Sequence, residues 1–200
     1  MTAILTSLRN TVIAGFVLAA VLFVLYLAAF GGGLGHAFWA FLFRWLHVIS
    51  GVMWIGLLWY FNFVQIPGMP NIPDEQKPAI SKVIAPSALW WFRWAAMATL
   101  VTGLLLALMN GYLWSAITFG ALSGFGLPDT MIGIGMWLGA IMWFNVWFVI
   151  WPNQKIALGI ESASPEEKAA SARKAMLFSR TNTALSVPML FAMVLAQNLF

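Results

Sequence analysis

Residues 11–30 read TVIAGFVLAAVLFVLYLAAF, a run without a single charged side chain. At about 1.5 Å of rise per residue, a helix of this length spans about 30 Å, the thickness of a bilayer's hydrocarbon core. Four further stretches are apolar over a similar length, three of them with a single arginine: residues 37–63, 88–110, 131–151 and 177–199. The whole chain of 200 residues is 62% hydrophobic and only 8% charged. A soluble domain carries about 25% charged residues because its surface must face water. Lipid has to cover most of this surface instead. The twelve tryptophans agree, since indole favours the membrane interface, where the ring stays dry and the N–H stays wet. The expected fold class is therefore all-α: a polytopic transmembrane helix bundle of about five spans, one domain over residues 1–200.

The first run reads as a retained helix rather than a cleaved signal peptide. It is longer than a signal core, and Gly31-Gly32-Gly33 makes a poor cleavage site. The second stretch is longer than one crossing needs, which leaves room for an interfacial turn around Phe38–Phe43. Residues 112–127 are apolar but broken by Gly120, Gly124 and Gly126, as expected of an outer loop lying on the membrane or re-entering it.

Basic residues set the orientation. With five spans and a cytoplasmic N-terminus, Arg9, Lys77, Lys82, Arg93, Lys155, Lys168, Arg173, Lys174 and Arg180 fall on or near the inner side, and only Arg44 on the outer. That is the bias of the positive-inside rule, and it puts Gln197 to Phe200 outside. The net charge of +4 thus reads as orientation across a membrane, not nucleic-acid binding. In the last inner loop, Ser164-Pro165-Glu166-Glu167 has the form of a capping box with Pro at the first helical position. It predicts a cytoplasmic helical extension over 165–176 that runs on into the last span, with a kink at Pro188. Trp151-Pro152-Asn153-Gln154-Lys155 reads as a helix stop followed by a basic loop.

The absence of Cys excludes disulfides, thiolate metal sites and a covalently attached c-type haem. Chemistry must then rest on the few polar groups in the spans, each a functional candidate because burial in lipid is costly. These are Arg44, His47, Ser50, Asn62, Gln65, Arg93, Thr99, Thr102, Asn145, Arg180 and Asn182; no Asp or Glu joins them. A guanidinium cannot shed its charge, so Arg44 and Arg93 need a lipid phosphate, water, carbonyls or an anionic ligand. Arg44 and His47 share a helix face, and Gly51 continues it one turn on. The small residue leaves room for a flat ring such as haem, with His47 as the candidate iron ligand. A histidine bonded to a neighbouring helix, with Arg44 on a headgroup, is the plainer reading. His36, eleven residues earlier, is about 16 Å away along one helix and reads as a solvated loop residue. Arg93 sits among Trp90, Trp91 and Trp94 and reads as an interfacial belt or as an anion site. Asn145, within Trp143-Phe144-Asn145-Val146-Trp147, reads as a tie to another helix or as a ligand contact. Gly135 and Gly139 form a small-xxx-small pair, preceded by Gly133, that permits close helix packing.

Several of these blocks are idiosyncratic. Arg44-Trp45-Leu46-His47 through Trp54-Ile55-Gly56 to Tyr60-Phe61-Asn62-Phe63, then Ala88-Leu89-Trp90-Trp91-Phe92-Arg93-Trp94, resemble the membrane domain of the bacterial membrane-bound urate hydroxylases, the urate oxidase N-terminal family. Met142-Trp143-Phe144-Asn145-Val146-Trp147 with Trp151-Pro152-Asn153-Gln154-Lys155, and Ser179-Arg180-Thr181-Asn182-Thr183 with Ser186-Val187-Pro188-Met189, resemble it as well. The resemblance implies a multi-pass protein of the bacterial inner membrane, linked to urate oxidation, with electrons passed to a c-type cytochrome. The family's full-length enzymes add a C-terminal cytochrome c domain, so a short form working with a separate cytochrome is expected here. On that reading Arg44 and Arg93 hold an anion such as urate or haem propionates, His47 ligates a haem b or moves a proton, Asn145 contacts the cofactor, and His47 and Arg93 are the catalytic candidates. The competing reading is a non-catalytic accessory subunit of a larger respiratory, photosynthetic or oxygenase complex, for which packing faces and aromatic belts suffice. Either reading is compatible with an oligomer.

Overall fold

The computed structural model describes residues 2–30 and 33–199. Gly31 and Gly32 of the weak cleavage site, and Phe200 of the expected outer terminus, lie outside the described residues. All regular structure among the described residues is helical. After one turn at Thr2–Leu5 come α1 (Leu8–Phe30), α2 (His36–Asn71), α3 (Lys77–Met109), a short α4 (Leu113–Ile117), α5 (Leu127–Ala157) and α6 (Pro165–Asn198). The chain divides into one compact unit through Leu42 and another from Phe43 onward. In the first unit, Thr11 Oγ1 donates to the carbonyls of Ile4 and Ser7, tying the opening turn to α1. Phe23 stacks on Phe38 with ring centroids 4.7 Å apart. No turn interrupts Phe38–Phe43, which are helical throughout.

In the second unit, pairs of contacts give the helix directions. His47 of α2 meets Thr99, and Phe61 meets Phe92, so α2 and α3 run antiparallel. Trp59 meets Ser186 and Asn62 meets Ser179, so α6 runs antiparallel to α2. The core lies among these helices and α5, with Leu58, Phe92, Met142, Val146 and Ile150 fully buried. The α2–α3 and α5–α6 connections share one end of this unit, the end that carries most of the basic loop residues.

Among the described residues four helices are long and apolar enough to cross a membrane: α1, α2, α3 and α5. The fifth, α6, has the length, at 34 residues, but turns Ser171, Ser179, Asn182 and Ser186 inward and is less apolar for it. Its N-terminus is the expected capping box, Ser164 Oγ accepting from the Glu167 amide and Glu167 Oε2 accepting from the Ser164 amide. It continues through Pro188 without a break.

The expected helix stop at Trp151–Lys155 is not one: α5 continues to Ala157. The reason is a local change of helix type. Residues Asn145–Ile150 form a wide π segment, and the Trp151 amide donates five residues back, to Val146. Proline lacks an N–H, and in an α-helix its ring strikes the carbonyl four residues before it. The wide turn displaces that carbonyl, so Pro152 is accommodated. The same device recurs at Phe61–Gln65 before Pro67, with Ile66 donating to Phe61, and at Ile80–Ile84 before Pro86, with Ala85 donating to Ile80. These extensions carry α2 past Phe63 and start α3 before Ala88. The real stop of α5 is Gly159 at φ +73°, where Ile160 donates to Lys155 and Gly159 to Ile156, a Schellman closure.

The segment after α3 folds back on α5. Ala116 is fully buried, and its carbonyl lies where a side chain at Gly133 would project. Gly135 faces the flexible Met193 side chain, and nothing lies within 4 Å of a Cβ at Gly139. Close packing thus depends on Gly133, outside the expected small-xxx-small pair. Gly133→Ala overpacks a backbone contact and is expected to cost about 1–3 kcal/mol of stability. Gly139→Ala should be neutral. Thermal unfolding of the two variants in the same detergent checks the contrast.

Candidate functional site

Arg93 is the one charged side chain buried among the described residues, at 8% exposure. It shares a helix face with Leu89, Phe92 and Ala96, all three buried, since those positions recur at three- and four-residue steps. Trp90, Trp91 and Trp94 point outward, as an interfacial belt would, but Arg93 turns in. Its guanidinium carbon lies 3.4 Å from the centroid of the Trp151 ring, a cation–π contact. Its Nη1 has no hydrogen-bond partner. The π segment before Pro152 carries Trp151 into this position.

Around it runs a polar seam against α6. Asn62 Nδ2 donates to Ser179 Oγ at 2.8 Å and to the Leu58 carbonyl at 2.9 Å, while its Oδ1 is buried without a partner. Trp59 Nε1 donates to Ser186 Oγ at 3.0 Å. Asn145 Nδ2 donates to Asn182 Oδ1, and Asn182 Nδ2 to the Met142 carbonyl, each at 2.9 Å. Asn145 is therefore placed as a tie between helices. Towards the loop-rich end of the unit, a cavity of about 160 Å³ is lined by Gln65, Gln154, Phe61, Leu89, Phe92 and Ser179, with further apolar residues. The side-chain oxygens of both glutamines are buried and unpartnered.

The other candidates lie elsewhere. His47 packs on α3: its Nδ1 is 2.8 Å from the Thr99 carbonyl oxygen, and its ring fills the space at Gly103. A carbonyl only accepts, so Nδ1 carries the hydrogen and Nε2 keeps its lone pair. That tautomer suits a metal ligand. At Gly51 a Cβ would meet the Thr99 methyl at 3.9 Å, an ordinary contact, while the His47 ring itself occupies the space at Gly103. Arg44 is exposed and lies at the opposite end from Arg93. It acts on Tyr112, whose phenol is pushed up by burial, pulled down by Arg44 and pushed up by Asp129. Asp129 also accepts from Ser115 Oγ at 2.7 Å, so Arg44 has acidic company from the start of α5. His36 is exposed at the start of α2. Among the described residues no three His, Cys, Asp or Glu gather as a metal site would require.

Gln65 stood among the polar span residues in the sequence, but Gln154 and Trp151 were hidden by the apparent helix stop. The usable signal was the repeat itself, a span-like stretch followed by Ile66-Pro67, Ala85-Pro86 and Trp151-Pro152.

Residues 112–198 match the family described as urate oxidase N-terminal. This stretch belongs to the urate oxidase N-terminal family. It covers α4, α5 and α6, and so Asn145, Trp151, Gln154, Ser179 and Asn182. The blocks around Arg44–Phe63 and Ala88–Trp94 lie outside it. No curated protein and no solved structure matches the chain.

The Asn145–Asn182 tie sets a stability prediction. Asn182→Ala leaves the Asn145 amide and its surroundings unpaired in a dry interior, at a cost of about 1–3 kcal/mol. Asn145→Ala and the double variant should show coupling of about 0.5 kcal/mol or more, measured in a double-mutant cycle of unfolding in detergent.

Proposed function

We propose that this protein is the membrane domain of a urate-hydroxylase-type redox system of the bacterial inner membrane, oxidising an anionic substrate such as urate and passing the electrons to a separate c-type cytochrome. The domain takes five spans with its N-terminus in the cytoplasm, the arrangement that the basic loops favour. One observation carries the reading: a permanently charged guanidinium, buried and stacked on Trp151, with an unpartnered nitrogen inside a bundle whose C-terminal helices belong to the urate oxidase N-terminal family. An uncompensated buried cation is costly, and an anion with planar edges offsets that cost. Arg93 is the substrate-binding residue here, holding the anion while Trp151 fixes the guanidinium plane. His47, tied to Thr99, positions α2 against α3.

The test is urate-dependent reduction of a soluble c-type cytochrome by the protein in nanodiscs. Wild type should support it. Arg93→Gln, which keeps a hydrogen-bonding head but removes the charge, should lose about tenfold or more in kcat/KM, the worth of a charge-assisted hydrogen bond of about 1.5–3 kcal/mol. Arg93→Lys should recover little, because an ammonium lacks the planar fork. A wild-type protein that reduces no cytochrome with urate, and co-purifies instead within a larger membrane complex, would be the accessory subunit.

A further inference from the structure

We propose that the outward face of α6 is a binding site for an anionic phospholipid, with Arg173 and Arg180 on its phosphate, in the leaflet on the side of the α2–α3 and α5–α6 connections. This site needs nothing from the redox reading above.

The periodicity of α6 fixes the face. Ser171, Ala175, Ser179, Asn182 and Ser186 are buried and recur at three- and four-residue steps, so they mark the side that packs on the bundle. Arg173, Leu177, Arg180, Ala184, Val187 and Phe191 recur in the same way half a turn round, and all are exposed. Arg173 and Arg180 therefore point away from the bundle, about 10 Å apart along the axis.

Depth decides what these side chains meet. Phe61 meets Phe92 and Asn62 bonds to Ser179, so Arg93 and Arg180 lie at about one level, the first turned in and the second turned out. The exposed Trp90, Trp91 and Trp94 share that level, and a belt of indoles marks the interface. Helix length agrees. From Asn198 back to Arg180, and from Met109 back to Trp90, is roughly 27–29 Å of helix, about the thickness of the hydrocarbon core. Side chains on a helix tilt towards its N-terminus, which on α6 is the way out of the hydrocarbon. Arg180 thus reaches from the last apolar turn to the phosphate layer, and Arg173 stands two turns further out. Deeper in, Ala184, Val187 and Phe191 give an acyl chain an apolar wall.

Charge decides which lipid. The chain carries no acid after Glu167, yet Lys168, Arg173, Lys174 and Arg180 all follow it. Among the described residues the ion pairs are Lys77 with Asp74 and Lys155 with Glu161, so the α6 cations are left without counter-charges. Glu167 is engaged by the capping box at Ser164. Glu166 shares the outward face but lies two turns beyond Arg173, further from the bilayer. A zwitterionic lipid would bring its own ammonium to this face, whereas an anionic one brings a phosphate alone. Each basic side chain beside an anionic headgroup is worth roughly fivefold in affinity.

Native mass spectrometry of the full chain in a mild detergent tests this with three probes: dioleoyl phosphatidylglycerol, phosphatidylcholine with the same chains, and glycerol 3-phosphate, an anion without chains. Phosphatidylglycerol should bind at least about tenfold more tightly than phosphatidylcholine, and glycerol 3-phosphate should not displace it. Arg173→Gln combined with Arg180→Gln should weaken phosphatidylglycerol by about tenfold or more. Lys77→Gln combined with Lys82→Gln removes two charges from α3 at the same end and should change it by less than about threefold. Equal binding of the two lipids, displacement by glycerol 3-phosphate, an unchanged affinity in the α6 double variant, or an equal loss in both double variants overturns the site. The comparison of the two lipids uses wild type alone and holds even where a variant does not fold.

Discussion

Each of three prolines, Pro67, Pro86 and Pro152, deprives an apolar helix of one amide hydrogen and thrusts a ring at a carbonyl in the turn before. In lipid no water can repair the loss. The chain answers in the same way each time, by widening the preceding turn so that the residue before the proline donates five residues back. All three repairs lie towards the end of the bundle where the α2–α3 and α5–α6 connections run. A wide turn inserts a residue and rotates everything beyond it, so side chains that a regular helix would aim elsewhere are re-aimed. Gln65, Trp151 and Gln154 owe their places to it. π segments occur often at functional sites for this reason.

The α6 helix completes the arrangement from the other side. A transmembrane bundle gains little from burying leucine against leucine, because lipid tails are equally apolar; small residues and interhelical hydrogen bonds hold it instead. Ser179, Asn182 and Ser186 supply both, with partners on two helices: Asn62 and Trp59 from α2, Asn145 from α5. The inward polar face that lowers the apolar character of α6 is thus what fixes its register. That register also sets Ser179 in the cavity wall, so packing and site depend on the same residues.

The fold was legible in the sequence wherever the evidence was compositional. Long uncharged runs, tryptophan-rich flanks and the Ser164 capping box each correspond to a helix or a helix end. The errors came at the prolines. Pro152 in Trp151-Pro152-Asn153-Gln154 obeys every rule for a stop, and those rules assume α-geometry on both sides. A π turn before it cancels the clash, and nothing in one residue's propensity announces that. The site suffered from the same blind spot. Arg93 stood out as a charge in an apolar run, but whether it snorkels or turns in depends on which face α3 buries, and its stacking partner Trp151 stood at the end of an expected span, at an apparent helix stop.

Comparing Arg93 with Arg44 shows why burial rather than charge singles out a site. Both are fixed cations in a chain poor in acids. Arg44 is exposed at the surface of the bundle, so its charge is not enclosed by protein. Arg93 is withdrawn from solvent, and its contact is an aromatic face, which offers about 2 kcal/mol when desolvated against a penalty of several kcal/mol for a buried ion. The structure tolerates that deficit at one point only among its described residues, one turn from the cavity that Leu89 lines.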